Sequence, residues 1–360
     1  MSSEFGNKLR VSIFGQSHGE AIGCVVSGFP AGEEIDLEAL ERFMERRRGG
    51  KGKHSTARAE ADRIEFLSGV TDKKTCAFPM CAIIKNEDKR SKDYSALLNT
   101  PRPGHADLTA YYKWGKNCDM RGGGHFSGRL TAPICIAGGI AKQILERKGV
   151  FIGAHISEIA GVKDESFPVF PEKELFDGLC EKNIPVINDA AGEKMLSEIE
   201  NARLSLDSVG GIVECAVTGV KEGLGESMFD GVENRLAQAI FGIPAVKGVE
   251  FGEGFHASVL RGSENNDEFF FDEDGNIRSK TNHAGGILGG ITTGMPITLR
   301  AAFKPTPSIA KKQKTVNFET RENTEIEITG RHDPCVVIRA VPVVEAVCAL
   351  VILDMMLEGK

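Results

Sequence analysis

The chain has 360 residues, of which 41% are hydrophobic and 26% charged, a composition typical of soluble globular proteins. Its net charge of −7 argues against nucleic acid as the main partner, because proteins that bind a duplex normally carry a basic excess. Its nine cysteines are scattered and form no CxxC pair, which favours reduced thiols in the cytoplasm over a disulfide framework or a zinc site.

The first predicted elements are two strands, "LRVSIFG" and "AIGCVVSGFP", separated by the loop "GQSHGE". Asp36 is the predicted N-cap of a helix in "LEALERFMERRR", where Leu37, Leu40, Phe43 and Met44 fall on one face. Further strands are predicted in "RIEFLSGV" and "CAIIK", and a polar loop follows them.

The rest of the chain alternates between helices and strands. Helices are predicted in "SGRLTAPICIAGGIAKQILERKG", "EKMLSEIENARLSL" and "GVENRLAQAIFG", and strands in "GGIVECAVTGV", "VKGVEFG", "ASVLRGS" and "MPITLRAAF". This order, without long linkers or a tandem repeat, predicts a mixed α/β fold built as one body.

Neither end of the chain predicts a membrane segment. The N-terminus lacks the apolar run of a signal peptide, which supports a cytoplasmic location. The apolar stretch "VVIRAVPVVEAVCALVILDMML" is interrupted by Arg339, Pro342, Glu345 and Asp354, so we expect a buried helix there.

The stretch "RGGGHFSGRLTAP", residues 121–133, has three consecutive glycines between an arginine and a histidine. Glycines in such a place indicate a tight turn or a close approach of the backbone to another group. Backbone N–H groups near a helix start, with Ser127 and Arg129 beside them, suit a phosphate or carboxylate. A simple flexible turn explains the same residues equally well.

The segment "GQSHG" matches the G-x-S-x-G pattern of a serine hydrolase, with Ser17 as the nucleophile. That motif requires a helix directly after the serine, whereas a strand is predicted here. His18 in the same loop is a candidate acid or base, since its unperturbed pKa is close to neutrality. A solvent-exposed loop histidine is the alternative.

The segment "RRRGGKGK", residues 46–53, is a dense cationic cluster. It could be a solvated helix end, or a basic loop that closes over a small anion. An anion- or nucleic-acid-binding protein without catalysis is therefore a second alternative.

Three further segments combine turn residues with polar side chains. "PRPGHADL" places Arg102 and His105 in a turn stiffened by prolines. "NHAGGILGGITTGMP" could pack against a flat ring or a phosphate, and "FKPTPSI" follows it with hydrogen-bond donors. "TGRHDPC" brings Arg331 and Asp333 close to the start of the C-terminal helix; Asp333 could accept a proton or simply cap that helix.

Taken together, these stretches resemble the chorismate synthase family over nearly the whole chain. The ordered set is specific, although none of its members is decisive alone: "GQSHG", "RRRGGKGK", "RSKDYSALLNTPRPGHAD", "RGGGHFSGRLTA", "DSVGG", "GLGE", "AVKGVEFGEGF", "NHAGGILGGITTG", "KPTPSI" and "GRHDPCVVIRAVPVVEA". The resemblance implies a single domain over residues 1–360, with an α/β (α+β) fold of the β-α-β sandwich type.

The resemblance also implies the reaction. The family converts 5-enolpyruvylshikimate 3-phosphate to chorismate and phosphate, the last common step towards the aromatic amino acids, by a 1,4-anti elimination that needs reduced FMN but has no net redox change. It further implies a homotetramer and a flavin shared with a neighbouring subunit, with no metal, nucleic acid or membrane involved. The flavin would be reduced by NADPH on the protein itself or by an external flavin reductase; the compact length favours the external enzyme.

Site residues are carried over by position. The resemblance implies that His18 protonates the departing phosphate, that His105 lies near the N1 and O2 edge of the flavin, and that Asp333 lies near N5 and assists deprotonation at C6. Five cationic residues match NADP or substrate positions: Arg47, Lys53, Arg102, Arg129 and Arg339. Twelve residues match FMN positions: His125, Phe126, Ser127, Pro244, Ala245, Gly289, Lys304, Pro305, Thr306, Pro307, Ser308 and Arg331.

The sequence departs from the family pattern near the glycine triplet. His125 stands where many members have arginine, Leu130 where they have glutamate, and "GQSHG" replaces "GESHG". We therefore expect the location of the flavin segment to be shared with the family and its individual polar contacts to differ.

Overall fold

A computed structural model describes residues 3–48, 61–86, 99–328 and 333–359. Lys53 and Arg331, both predicted site residues, lie outside these ranges. The described helices are α1 (Leu37–Arg47), α2 (Asp107–Trp114), α3 (Thr131–Glu146), α4 (Lys173–Glu181), α5 (Asp189–Leu204), α6 (Val232–Ile240), α7 (Gly262–Asn265) and α8 (Val337–Glu358). Short 3₁₀ helices span Gly115–Asn117, Arg121–Phe126, Gly128–Leu130 and Gly254–Val259.

The strands form two large antiparallel sheets and several hairpins. They are β1 (Glu4–Phe5), β2 (Arg10–Gly15), β3 (Ala21–Ser27), β4 (Glu65–Ser68), β5 (Val70–Thr71), β6 (Lys74–Thr75), β7 (Met80–Lys85), β8 (Phe151–Ile159), β9 (Val162–Lys163), β10 (Gly211–Thr218), β11 (Val246–Phe251), β12 (Phe269–Phe271), β13 (Ile277–Ser279), β14 (Ile287–Leu288), β15 (Ile291–Thr292), β16 (Ile297–Phe303), β17 (Gln313–Val316) and β18 (Asn323–Ile326).

The two large sheets enclose the central helices. The N-terminal sheet has the order β1-β2-β3-β7-β4, and the second sheet has the order β11-β16-β10-β8-β9. Helix α3 packs on the first sheet and α8 on the second, and the two helices pack against each other. One buried hydrophobic cluster runs through both sheets and both helices. This arrangement is the predicted β-α-β sandwich.

Helices α3 and α8 approach closely because α3 carries two buried glycines at its centre. A Cβ atom added to Gly138 would lie 2.4 Å from the Cβ of Ala346 on α8. A Cβ atom added to Gly139 would lie 2.6 Å from Leu40 Cδ1 on α1. The low helix propensity of glycine is therefore offset here by tight packing of three helices.

Helix α8 is long and apolar enough to span a membrane by composition alone, but most of it is buried inside the protein. It carries Glu345, fully buried, whose carboxylate contacts Arg46 Nη2 at 2.6 Å and Lys142 Nζ at 2.7 Å. Burial raises the pKa of Glu345, but the two cations outweigh it and hold that pKa at about 2. The polar interruptions of the apolar stretch thus tie α8 to α1 and α3.

Most predicted elements are present, and the differences have local causes. Asp36 caps α1 as predicted, and Leu40, Phe43 and Met44 are buried, whereas Leu37 is exposed. The strand predicted in "ASVLRGS" is wrong: the segment forms a 3₁₀ helix and then α7. The side chain of Glu264 accepts a hydrogen bond from the N–H of Arg261, which closes a helical turn instead of leaving that group for a sheet.

Candidate active site

A cavity of about 890 Å³ opens between the N-terminal sheet, α8 and the loop after α6. It is lined by most of the predicted site residues that the structure describes: His18, Arg47, Arg102, His105, His125, Phe126, Ser127, Arg129, Pro244, Ala245, Lys304, Thr306, Pro307, Ser308, Asp333 and Arg339. Residues that are up to 321 positions apart in the chain, from His18 to Arg339, therefore face one space.

Two of the predicted site residues within the described ranges, Gly289 and Pro305, do not line this cavity. Gly289 is exposed. It occupies the turn between β14 and β15 and does not line the cavity of its own chain. The exposed Pro305 also falls outside the cavity lining, although both of its neighbours line it.

The glycine triplet packs against the candidate catalytic histidines. Gly122, Gly123 and Gly124 all have positive φ angles, of 62°, 88° and 57°. A Cβ atom at Gly122 would lie 2.4 Å from Cδ2 of His18, and one at Gly123 would lie 3.2 Å from Nε2 of His105. Glycine is therefore required here by backbone conformation and by two imidazole rings, a reason that the sequence did not reveal.

Three arginines of the cavity are held by buried acceptors around Asp62. Arg47, 2% exposed, donates from Nη1 to Asp62 Oδ2 at 3.2 Å and from Nε to Thr131 Oγ1 at 3.0 Å. Arg129 donates to the other oxygen of Asp62, and Arg339 donates to Asp333 and to the carbonyl of Arg47. Asp62 itself has a φ of 48°, which is strained for a residue with a side chain.

Among the described residues, this group contains three arginines, Arg47, Arg129 and Arg339, and two aspartates, Asp62 and Asp333. Burial first, and then the charge of Arg339, lower the pKa of Arg47 to about 10, although Asp62 acts in the opposite direction. Cations that depress one another's pKa in this way would be stabilised by an anion. The arrangement therefore suits a ligand with several negative groups.

A second polar group surrounds Asp107, the first residue of α2. Its carboxylate accepts from Arg102 Nε at 2.7 Å, from Arg102 Nη2 at 2.8 Å and from His105 Nδ1 at 2.8 Å. Arg102 also donates from Nη1 to Ser308 Oγ at 3.2 Å, which joins this group to the segment 304–308.

His125 is fully engaged by the protein. Its Nδ1 lies 2.8 Å from the carbonyl oxygen of Gly15, so this nitrogen carries the proton, and its Nε2 accepts from Ser3 Oγ at 2.7 Å. The imidazole thus joins the segment 125–127 to the end of β2 and to Ser3 near the N-terminus. This use of the side chain differs from that of a free cationic arginine at the same position.

Apolar side chains also line the cavity. They come from the N-terminal strands, from α3 and from α8 with the residue before it, namely Phe5, Val11, Ile13, Ile134, Val336, Ala340, Val343 and Val347. Ala245 also lines the cavity and has a φ of 75°, which is a strained backbone conformation for alanine. The cavity thus combines cationic side chains with apolar side chains suited to a flat ring.

The geometry does not favour the two alternatives, a serine hydrolase and a non-catalytic anion- or nucleic-acid-binding protein. Ser17 is followed by β3 and not by a helix, and it is 1% exposed, which does not match a nucleophile elbow. In the described part of the basic cluster, Arg46, Arg47 and Arg48 each contact a carboxylate, of Glu345, Asp62 and Glu41 respectively. They do not form a free basic surface.

Sequence reasoning missed Asp62 and Asp107, which hold the cavity arginines. Asp107 could have been identified from the sequence, because it follows His105 in "PGHAD". Asp62 could not, because it lies 15 and 67 residues along the chain from its two arginine partners. Asp333 was considered as a helix cap, but α8 starts at Val337 and the Asp333 carboxylate bonds Arg339 instead.

Comparison with known proteins gives one consistent result. Residues 9–357 match the family model for chorismate synthase. The chain is 50% identical over 353 residues to the chorismate synthase of Archaeoglobus fulgidus, covering 98% of this chain and 96% of that protein. It is 46% identical over 369 residues to that of Methanocaldococcus jannaschii, covering 100% and 97%.

A solved structure gives the same family. A crystal structure of chorismate synthase superimposes with a TM-score of 0.78 at 28% identity, covering 99% of this chain and 93% of that one. The sequence match, the shared fold and the cationic cavity agree, and the chain belongs to the chorismate synthase family.

Proposed function

We propose that this protein eliminates phosphate from 5-enolpyruvylshikimate 3-phosphate in a 1,4-anti reaction that gives chorismate, acting in the cytoplasm with reduced FMN as cofactor. The observation that carries the proposal is the cavity itself, which is lined by four arginines, three histidines and several aliphatic side chains. A substrate with two carboxylates and a phosphate requires such a set of guanidinium groups.

The cavity residues fit FMN by their chemistry. The aliphatic lining residues, such as Val343 and Ile134, suit an isoalloxazine ring. Thr306 Oγ1 is buried without a hydrogen-bond partner among the described residues, and a polar ligand atom would satisfy it. Lys304 and Ser308 flank it and would suit the polar edge or the phosphate of the cofactor. When bound, reduced FMN would lend electron density to the substrate and recover it, so that no net oxidation occurs.

Each remaining role falls to a side chain on the cavity wall. Arg47, Arg129 and Arg339 would bind the anionic groups of the substrate and exclude water from them. His18, 8% exposed, would donate a proton to the departing phosphate. His105 would place its Nε2 toward the cofactor edge, and Asp333, ordered by Arg339, would assist removal of the C6 proton.

Assembly into a homotetramer is part of the proposal. Several large apolar side chains are exposed on the isolated chain, and exposed apolar patches mark interaction sites in many proteins. They include Phe229 (87%), Phe255 (82%), Met228 (74%), Phe271 (74%) and Val259 (73%). Copies of this chain would cover these surfaces, and the β14–β15 turn with Gly289 would then reach a neighbouring subunit.

The test is anaerobic incubation of the purified protein with 5-enolpyruvylshikimate 3-phosphate and chemically reduced FMN. We expect chorismate and phosphate in equal amounts, and neither with oxidised FMN. Folded protein that binds FMN yet releases no phosphate would contradict the proposed reaction. Adding NADPH to oxidised FMN then distinguishes the two sources of electrons: turnover would indicate that the protein reduces its own flavin, and no turnover an external reductase.

A further inference from the structure

Asp107 does not line the cavity, yet its carboxylate is the common acceptor for two side chains that do. It is 7% exposed and lies at the start of α2, behind Arg102 and His105. The backbone N–H of Arg102 adds a third contact from that residue, to Oδ2 at 3.0 Å. Four donors from two cavity residues therefore converge on one buried carboxylate.

Capping of α2 does not explain this carboxylate. An acidic residue in the first turn of a helix is favourable, but the N-terminus of α2 has no side-chain capping bond. Both oxygens are directed instead to Arg102 and His105, in the bidentate geometry of a strong arginine pair. Burial raises the pKa of Asp107, but the hydrogen bonds from Arg102 and His105 outweigh it and hold that pKa well below its usual value.

The contact with His105 selects one imidazole tautomer. Nδ1 lies 2.8 Å from Asp107 Oδ1, and a carboxylate oxygen can only accept, so Nδ1 carries a proton. Arg102 Nη2 lies 3.1 Å from the same nitrogen, and with Nδ1 protonated this guanidinium donates to Asp107 instead. Nε2 then points to Gly123 and the cavity.

We propose that Asp107 is a positioning residue, which holds His105 with Nδ1 protonated and Nε2 facing the cavity, and which fixes the orientation of Arg102. Its importance for turnover rests on the proposed function, whereas its effect on His105 does not. The side chain acts through its neighbours, in the way that a carboxylate orients a catalytic or metal-bound histidine in other enzymes.

The first test is the tautomer of His105 in the intact protein without ligands. Protein with ¹⁵N-labelled histidine is examined by long-range ¹H–¹⁵N correlation at pH 8, and the His105 signals are assigned by their loss in His105→Gln. We expect a protonated Nδ1 in the wild type, and a shift toward the Nε2-protonated form that dominates free neutral histidine in Asp107→Asn. A wild-type His105 protonated on Nε2 would overturn the proposal without any need for the variant to fold.

The second test measures turnover with reduced FMN. We expect Asp107→Asn to lower kcat by about tenfold or more, because small misplacements of catalytic groups are costly, with a smaller change in KM. Glu200→Gln is the matched control, since Glu200 makes a bidentate pair with Arg203 on α5 outside the cavity, at 2.8 and 2.7 Å. The control should retain both the wild-type kcat and the His105 tautomer.

The two proposals fail separately. An unchanged His105 tautomer in folded Asp107→Asn would overturn the role of Asp107, whatever the enzyme does. A changed tautomer in a protein whose wild type makes no chorismate would overturn the proposed reaction and leave the role of Asp107 intact. A changed tautomer with unchanged kcat would overturn the importance of this positioning for turnover.

Discussion

Gly122 lies directly against His18, one of the candidate catalytic residues. Its φ of 62° and the 2.4 Å that would separate an added Cβ from His18 Cδ2 leave no room for a side chain. A larger residue would have to move the imidazole that we expect to protonate the leaving phosphate. The triplet is therefore a constraint on the candidate catalytic histidines and not simply a flexible hinge.

We predict that Gly122→Ala lowers kcat by about a hundredfold, because displacement of a proton donor by an ångström has costs of that order. Gly149→Ala is the matched control: Gly149 has a φ of 78°, but nothing lies within 4 Å of an added Cβ. Both variants should lose stability because of the positive φ, and Gly122→Ala should lose more because its methyl group also clashes with His18; the melting temperature at one protein concentration measures both losses. Equal loss of kcat in the two variants would contradict the role assigned to Gly122.

At the scale of elements, the distance between α3 and α8 is set by the small residues at their crossing. Gly138→Ala should destabilise the protein by about 1–3 kcal/mol, because the new methyl group would lie 2.5 Å from the Cα of Ala346. Gly178→Ala, in α4 with nothing within 4 Å, should instead stabilise it by up to about 1 kcal/mol. Thermal unfolding of both variants tests this, and a gain of stability in Gly138→Ala would contradict the close-packing argument.

The buried Glu345 makes the α1–α3–α8 core sensitive to acid. Its pKa in the folded protein, about 2, is below the usual 4.5, so the stabilisation is complete above about pH 4.5 and is lost as the pH falls toward 2. We predict that Glu345→Gln costs about 3 kcal/mol at pH 7, because Arg46 and Lys142 lose their buried partner.

Denaturant unfolding between pH 7 and pH 3 measures that loss. The difference in the free energy of unfolding between wild type and Glu345→Gln should become smaller as the pH falls. Glu41→Gln serves as the control. Glu41 pairs with Arg48, but its side chain is 47% exposed, so the substitution should change the free energy of unfolding by close to zero at every pH. A pH-independent difference for Glu345→Gln would show that its ionisation does not stabilise the core.

At the scale of the whole molecule, the loop 225–231 and the β14–β15 turn form one exposed unit. The N–H of Val232, at the end of the loop, donates to the carbonyl of Gly290 at 2.9 Å. Phe229 protrudes from this loop and Gly289 from the turn. If copies of the chain associate here, loss of the contact should affect both assembly and cofactor binding.

We predict that Phe229→Asp lowers the oligomer mass in multi-angle light scattering and weakens FMN binding at least tenfold, because the substitution would place a charge in the proposed interface. Leu204→Asp, at the end of α5, is the control: Leu204 is 66% exposed on a helix that packs on β8 and β9, and its variant should remain assembled. Wild-type mass and FMN affinity in Phe229→Asp would place the interface elsewhere.

The sequence by itself determined the elements and the family. Periodicity and capping placed α1 and its N-cap Asp36, the glycine-rich α3 and the buried α8, because these signals act over a few residues. The ordered motifs indicated the family, and most of the residues matched to it line one cavity. The strand predicted at residues 257–263 was wrong. There the Glu264 side chain accepts from the N–H of Arg261 and closes a helical turn, and strand propensity does not take such a contact into account.

Only the tertiary structure decided which groups hold the candidate catalytic residues. Asp62 bridges arginines from two distant segments, Glu345 joins three helices, and Gly122 is confined by His18 from another loop. Such contacts depend on the packing of the two sheets around α3 and α8, and a linear pattern does not encode distances between remote segments. The chemical types of the site residues could therefore be predicted from the sequence, whereas their mutual orientation required the fold.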